Sequence, residues 1–341
     1  MSERDQTITH LSQETALPSH LVTGARDFIA GTRSERTREA YWKAWRGFMT
    51  WCEAHGRKSL PASPESIAAW MADLALAGRA PATINSYLAA VAVAHRTAGH
   101  ALDRKCPLLA DTLKGIARAN TKPQRQARPI TGADLQAVLA DLHPALSAVA
   151  RDAALLALGW AAALRRSELI GLDWQKLGTG TGFLLLDERG IVVTLVQSKT
   201  SQAEAVTIVV PCPDMPAACA AISAWAARAN LQQGEPVFRP IDKGGRIAAE
   251  RLTDRSVSRL VKTRVQAYAE ASGKSKADAA ALAERFSGHS LRAGYATAAG
   301  AADVPSYRIQ QHTRHKTAEM VARYVREADK WTKSGLKGVG F

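Results

Sequence analysis

The sequence predicts a mainly α-helical protein that also contains one small antiparallel β-sheet. Apolar residues recur at helical spacing in both halves of the chain, whereas β-branched residues cluster between turn-forming residues in one region, residues 183–210. The length of 341 residues also favours two domains, because a single hydrophobic core rarely keeps growing beyond about 250–300 residues.

Residues 33–120 are predicted to form an all-helical domain, preceded by a flexible tail over residues 1–32. The first helix follows Ser34, and its apolar residues recur every three or four positions. Ser63 is a suitable N-cap, and Pro64 suits the first turn of a second helix. The predicted helices span residues 34–53, 64–77, 81–97 and 107–119.

Residues 121–130 are predicted to be a basic linker. From position 112 to position 133 the chain has no acidic residue, but it carries five basic ones: Lys114, Arg118, Lys122, Arg125 and Arg128. The first three are four positions apart, so they share one face if the preceding helix continues that far. Such a segment either crosses a phosphate backbone or is a solvated hinge, and the sequence favours neither reading.

Residues 131–330 are predicted to form the second domain. Thr131 and Asp134 resemble a capping box at its first helix. Residues 149–163 are apolar almost all round, which predicts a central buried helix. Strands are predicted at 183–186, 192–197 and 205–210, and further helices at 215–229, 253–271, 277–284, 291–302 and 318–325.

The charge of the chain favours a polyanionic partner. The formal net charge is +14 and the pI is about 9.9. Residues 1–127 carry 17 basic and 11 acidic side chains, so the net charge is +6 there and +8 in the remainder. Basic charge favours binding to nucleic acid, because Lys and Arg that neutralise phosphates release condensed counterions. Since the excess is spread over both halves of the chain, it suits a clamp around nucleic acid better than a basic tail.

Several classes of protein are disfavoured. No apolar run approaches the length of about 18 residues that spans a bilayer, and the sequence contains neither a P-loop nor a His-Glu-x-x-His motif. We therefore expect no membrane association, no metal and no cofactor. The four cysteines lack zinc-ribbon spacing and disulfide-framework density, and they are interpreted as reduced thiols of a cytoplasmic protein: Cys52, Cys106, Cys212 and Cys219.

Polar residues with a recognisable order stand in five short segments of the second domain. They are Arg165 and Glu168 in ALRRSELIGL, Lys199 in QSKTSQ, His289 and Arg292 in SGHSLRAG, His315 in HTRHKT, and Tyr324 in VARYVRE. This order resembles the tyrosine recombinase (phage integrase) family over about residues 33–330, and Cre-like members most of all. The resemblance implies a helical core-binding domain followed by a tyrosine-recombinase catalytic domain.

The resemblance assigns a role to each of these residues. Tyr324 attacks a DNA phosphate and gives a 3′-phosphotyrosine and a free 5′-hydroxyl. Arg165 and Arg292 bind the phosphate oxygens, because a guanidinium fork matches phosphate geometry. The pKa of tyrosine is about 10, so Tyr324 needs activation at neutral pH. His289 is the expected base or proton relay.

The remaining roles support the same reaction. Lys199 is expected to protonate the leaving 5′-oxygen as a general acid. Glu168 supports the site, and His315 hydrogen-bonds a phosphate oxygen. Two alternatives remain open: Arg166 in place of Arg165, although the register with Glu168 favours Arg165, and His312 in place of His315, although the nine-residue spacing to Tyr324 favours His315. One departure from many relatives is Arg314, which precedes His315 where they have Gly.

The expected partner is double-stranded DNA with an inverted-repeat target site. The candidate DNA-contacting residues are Arg36, Arg38, Lys43, Thr83, Ser86, Lys114, Arg118, Lys122, Arg125, Arg255 and Arg259. Arg255 aligns with a base-reading arginine of Cre-like members. Glu39 and Ala82 stand where those members have basic residues, so we expect a different target sequence.

The resemblance also implies an assembly and a location. The tail over residues 331–341 contains Trp331 and Phe341, and we expect it to dock on a neighbouring subunit of a homotetramer that resolves a Holliday junction. The free protein is expected to be a monomer or weakly associated, in the cytoplasm with the bacterial nucleoid. Two rivals remain: a type IB topoisomerase-like enzyme, and a catalytically silent DNA-binding regulator.

Overall fold

The computed structural model describes residues 35–120, 127–140, 146–196 and 205–329. The chain divides into two compact units, Met1–Gln124 and Arg125–Phe341. The boundary between the units falls inside the segment predicted as a linker.

The first unit is helical throughout its described part. Its helices are α1 (Glu35–Ala54), α2 (Pro64–Leu76), α3 (Pro81–Thr97) and α4 (Pro107–Ala119). The Ser63 side chain accepts the backbone N–H of Ser66 and caps α2, as the sequence predicted. The core is formed by the apolar faces of these helices, with fully buried Phe48, Ile67, Met71, Ile84, Leu88 and Leu109.

The second unit packs helices around a small sheet. The helices before the sheet are α5 (Gly132–Ala140), α6 (Ser147–Ala161) and α7 (Arg166–Ile170). Those after it are α8 (Pro216–Ala229), α9 (Asp254–Ala271), α10 (Lys276–Ala283), α11 (His289–Ala301), α12 (Ser306–Thr313) and α13 (Ala318–Asp329). Helix α6 is buried on nearly every side from Ala150 to Ala161, which confirms the prediction of a central buried helix.

The sheet is mixed and has one strand more than predicted. Its strands are β1 (Leu172–Trp174), β2 (Gly182–Leu186), β3 (Gly190–Leu195) and β4 (Val206–Pro211), in that spatial order. The three predicted strands pair antiparallel, as expected, whereas β1 adds to β2 in parallel. Strand β1 was missed because only three residues form it, and Asp173 interrupts their apolar character.

The prediction of four reduced cysteines is wrong for two of them. Cys212 directly follows β4 and Cys219 lies in α8, and the two are joined by a disulfide with a Cα–Cα distance of 5.7 Å. The two cysteines are seven positions apart, and the turn from β4 into α8 brings them together. Cys52 and Cys106 are free.

Candidate active site

The site begins at the end of the central helix. After α6 the chain turns through Ala163, which has a positive φ of 47°, and Arg165 then caps the N-terminus of α7. The turn presents the Ala163 carbonyl to the site, where it accepts N–H groups from Arg292 at 2.8 Å and Arg314 at 3.0 Å. One backbone oxygen thus fixes two guanidinium groups.

Helix α11 supplies two of the predicted residues. His289 is its first residue and Arg292 lies one turn later. The helix is anchored by a close backbone contact, since the space for a Cβ atom at Gly294 is taken by the Ile130 carbonyl oxygen. Ile130 also receives a hydrogen bond from the Trp160 indole and donates one to the Ser290 carbonyl, both at 3.0 Å.

Arg292 is a buried cation with a free donor. It is only 2% exposed, and its second terminal nitrogen, Nη2, is buried without a hydrogen-bond partner among the described residues. Burial first, and then the neighbouring Arg165 and Arg314, lower the pKa of Arg292 to about 9, which still leaves it charged at neutral pH. A buried N–H without a partner costs free energy that an anion would recover.

The Tyr324 hydroxyl lies 3.1 Å from Nε2 of His289. Burial raises the pKa of Tyr324, against the opposing effect of Arg292, so the phenol is protonated at neutral pH. Burial first, and then Arg292 and neighbouring arginines, lower the pKa of His289. The imidazole is therefore neutral at pH 7, and its Nε2 lone pair can accept the phenol proton.

His315 also packs against Tyr324, the candidate nucleophile. Its ring stacks on that of Tyr324 with a centroid distance of 5.6 Å. Burial first, and then Arg292 and other cations, lower the pKa of His315 to about 4. Nδ1 lies 2.7 Å from the hydroxyl of Thr313, which itself donates to the Ile309 carbonyl. The neutral ring thus carries its proton on Nδ1, and Nε2 becomes a donor only when the ring is protonated, which a bound phosphate would favour.

Glu168 is shared by two arginines. The carboxylate is 3% exposed and accepts the Arg165 guanidinium at 2.5 Å and the Arg314 guanidinium at 2.8 Å. It also accepts the Arg165 backbone N–H at 2.8 Å. Burial acts to raise the pKa of Glu168, but Arg314 and the contacts with Arg165 outweigh it and lower the pKa. Sequence reasoning recognised Arg314 only as a departure from relatives and missed its place in the site.

Arg166 and His312, the alternatives to Arg165 and His315, have other partners in the structure. Arg166 donates to the Ser258 hydroxyl at 3.0 Å and pairs with Asp254 at 3.4 Å, so it ties α7 to α9. His312 lies 2.8 Å from the Ala161 carbonyl through Nε2 and stacks on Tyr295. Lys199, the predicted general acid, lies outside the described residues.

A basic cleft opens beside Tyr324. It has a volume of about 960 Å³. The basic side chains that line it are Arg128, Lys262, Arg285 and Arg323. Of these, sequence reasoning named only Arg128, as part of the basic segment; the others lie on separate helices and turns, so no local pattern groups them.

The predicted DNA-contacting residues differ in their surroundings. Those with exposed side chains are Arg36, Lys43, Ser86, Lys114, Arg118, Arg255 and Arg259, whereas Arg38 and Thr83 are half-buried. Arg38 pairs with Glu35, and Lys114 pairs with Asp111 at 3.0 Å. Helix α4 ends at Ala119, and the positions of Lys122 and Arg125 lie outside the described residues.

Within the described ranges, no group of three or more His, Cys, Asp or Glu side chains is arranged to hold a metal ion. No helix of those ranges is both long enough and apolar enough to cross a membrane.

The fold and this set of side chains match a known class of DNA-rearranging enzyme. A model of the phage integrase family matches residues 129–330, which is more than half of the chain. An integrase/recombinase XerD homologue of Selenomonas ruminantium is 32% identical over 89% of this chain and 85% of that protein. A tyrosine recombinase of Synechococcus elongatus is 30% identical over 86% of this chain and 85% of that protein. The chain therefore belongs to the phage integrase family of tyrosine recombinases.

Solved structures show the same fold. The Tn1549 transposon integrase in complex with transposon right end DNA has a TM-score of 0.58 at 16% identity, over 95% of this chain and 94% of that one. A lambda integrase dimer bound to a COC′ core site has a TM-score of 0.55 at 16% identity, over 93% of this chain and 79% of that one.

Proposed function

We propose that this protein is a site-specific recombinase that cleaves and religates DNA through a 3′-phosphotyrosine bond at Tyr324. The main support is the 3.1 Å contact between the Tyr324 hydroxyl and Nε2 of His289, next to the unpartnered N–H of Arg292. A nucleophile, a neutral base and an anion-seeking donor in one pocket are what attack on a phosphodiester requires.

The proposed step conserves atoms and charge. The Tyr324 oxygen bonds to phosphorus while its proton passes to His289, and the bond from phosphorus to the 5′-oxygen breaks. Lys199 gives the 5′-oxygen its proton as general acid. Arg165 and Arg292 stabilise the charge on the nonbridging oxygens, and a protonated His315 adds a further donor. The phosphotyrosine retains the energy of the broken bond, so religation by a 5′-hydroxyl needs no cofactor.

The wider reaction belongs to the same proposal. The helical first unit and the second unit would bind inverted repeats in double-stranded DNA, with Lys114, Arg118, Arg255 and Arg259 among the contacts. Four subunits would exchange strands in a Cre-like manner through a Holliday junction, with the 331–341 tail docked on a neighbour. The site of action would be the cytoplasm, on the bacterial nucleoid.

The deciding experiment is trapping of the covalent adduct. Footprinting of the DNA that flanks the protein's own gene identifies protected inverted repeats, and a nicked suicide duplex is then built from that repeat. The wild-type protein should yield a protein–DNA adduct on a denaturing gel, and Tyr324→Phe should yield none. Tyr307→Phe is the matched control, because Tyr307 is 64% exposed and lies in α12, and it should retain the adduct.

Other outcomes identify the rival functions. An adduct formed by Tyr324→Phe would show that the nucleophile is misassigned. Relaxation of supercoiled plasmids that lack the protected repeat would indicate topoisomerase-like activity. Protection of the repeat without any adduct from the wild type would indicate a silent DNA-binding regulator.

A further inference from the structure

Arg314 occupies a backbone conformation that disfavours its own side chain. It ends α12 with φ 56° and ψ 41°, in the left-handed region. Glycine adopts this region freely, whereas a side chain with a Cβ atom is strained there. An arginine at this position therefore needs a compensating interaction.

The compensation comes from contacts of the two terminal guanidinium nitrogens, whereas Nε is buried without a hydrogen-bond partner among the described residues. The Arg314 guanidinium donates to the carbonyl oxygens of His312 at 2.8 Å and Ala163 at 3.0 Å, and it pairs with Glu168 at 2.8 Å. The side chain is only 7% exposed. It crosses from the end of α12 to Ala163 in the turn between α6 and α7, 151 positions away in sequence, and to Glu168 in α7, 146 positions away.

These contacts change the charge that Arg165 offers to a phosphate. Glu168 is buried and must be compensated, and without Arg314 only Arg165 would be in direct contact with it among the described cations. With Arg314 on one carboxylate oxygen and Arg165 on the other, the carboxylate is balanced by two cations. The Arg314 carbonyl also accepts Nη2 of Arg165 at 3.2 Å, so its backbone orients the same guanidinium.

We propose that Arg314 is a positioning residue of this recombinase: it shares Glu168 with Arg165 and thereby leaves part of the Arg165 charge available to the DNA phosphate. The inference rests on the proposed function, since it concerns the same pocket. Arg314 is expected to act through Glu168 and Arg165 rather than by touching the DNA.

The test uses full-length variants on the nicked suicide duplex. Arg314→Met removes the charge at similar length and should slow adduct formation about 10- to 100-fold, because a small displacement of a catalytic group has effects of that size. The affinity for the uncleaved repeat should change less than twofold. Arg314→Lys, which keeps a charge near Glu168, should recover part of the rate. Arg308→Met, an exposed arginine of the same helix, is the matched control and should behave as wild type.

The partner of Arg314 is tested with Glu168→Gln. If Arg314 acts by compensating the carboxylate, Arg314→Met should cost less than about threefold in the Glu168→Gln background, because no charge remains to be balanced. The cations that face Glu168 are Arg165, Arg314 and, from α11, Arg292. Loss of Arg314 should therefore raise the pKa of Glu168, so the rate of Arg314→Met should fall at low pH by more than protonation of His289 alone accounts for, and Glu168→Gln should abolish that additional fall.

A readout without DNA separates this inference from the proposed function. Urea unfolding midpoints are measured for the wild type, Arg314→Met, Glu168→Gln and the double variant. The effects of the two substitutions on stability should not be additive, which would show that positions 168 and 314 are coupled. If the wild type forms no adduct while this coupling is present, the proposed function fails and the contact remains. If the wild type forms adduct but Arg314→Met matches Arg308→Met, or loses equal activity in both backgrounds, the inference about Arg314 is wrong.

Discussion

The proposed role of His289 as the proton acceptor for Tyr324 predicts a large loss of rate when the imidazole ring is removed. His289→Ala removes the Nε2 atom that lies 3.1 Å from the phenol. The pKa of Tyr324 is raised above its usual 10 by burial, so less than about 0.3% of the phenol is ionised at pH 7.5. Without a base, attack depends on that fraction, and we expect adduct formation to slow at least about 300-fold, within the range of about 10²–10⁴ for general-base catalysis.

The two proteins should also differ in their pH dependence. The pKa of His289 is lowered below 6.5 by burial and by the nearby arginines, and the neutral ring is the active form. The wild-type rate should therefore fall as the pH drops below about 6.5 and should be flat from about 7.5 until Arg292, whose pKa is about 9, begins to lose its charge. The rate of His289→Ala should instead rise about tenfold per pH unit towards the phenol pKa.

The assay is single-turnover adduct formation on the suicide duplex between pH 6 and pH 9.5, with the affinity for the uncleaved duplex measured in parallel. Affinity should stay within about twofold, because the ring acts on the phenol rather than on the DNA. A variant that loses less than tenfold, or one whose rate shows no rise with pH, would refute the assignment of His289 as the base.

Two further predictions test the anion site and its support. Arg292→Lys replaces the fork that holds the Ala163 carbonyl and presents a free N–H; it should slow adduct formation about 10²–10³-fold, as expected for one preorganised donor, and a rate within tenfold of wild type would contradict this role. Gly294→Ala places a methyl group against the Ile130 carbonyl oxygen and should lower the free energy of unfolding by about 3 kcal/mol, measured with urea. Gly132→Ala meets only ordinary contacts and should stay within about 1 kcal/mol of wild type; equal effects of the two changes would rule out the close contact as the cause.

The long elements could be predicted because local chemistry sets their ends. Helices α2, α3 and α4 each begin with a proline in the first turn, a residue that suits a helix start and disrupts its interior. Helix α6 is apolar almost all round, and a helix with this pattern is stable only when it is buried in a core. These signals lie within one segment of sequence and require no knowledge of the tertiary structure.

The missed elements depend on distant partners. Strand β1 has Asp173 at its centre, with no exposed surface, and that carboxylate pairs with Arg251 from a loop 78 positions later. Helix α12 (Ser306–Thr313) is mostly polar. Ile309 is the only apolar residue of this helix that is fully buried. Neither has the periodicity that a local pattern detects.

In the candidate site, too, some features could be predicted from the sequence and others depend on contacts between distant residues. The order of the segments around Arg165, His289, Arg292 and Tyr324 was enough to predict a shared pocket, because the resemblance supplied the tertiary information. The part played by Arg314 could not be predicted, since its partner Glu168 is 146 positions away. The residue type was unusual for its position, but the fold was needed to show what it contacts.

If Tyr324 attacks DNA as proposed, the charges of the pocket should suit a phosphodiester under attack better than one at rest. Among the described residues, Arg165, Arg292 and Arg314 carry +3 and Glu168 carries −1. The lowered pKa values of the two histidines leave both neutral at pH 7 in the absence of DNA, and His315 adds to the positive charge only when a bound phosphate favours its protonation. A resting phosphodiester carries one negative charge and leaves an excess of one positive charge. When the phenol transfers its proton to His289 and its oxygen bonds to phosphorus, the phosphate group gathers a second negative charge. The same proton transfer gives His289 a positive charge, so the net charge of pocket and phosphate does not change; the fixed positive charges act by stabilising the second negative charge on the phosphate group as it forms. Without Arg314 the fixed excess falls to one, so its removal should slow cleavage, which depends on stabilising that second negative charge, more than it lowers the affinity for DNA.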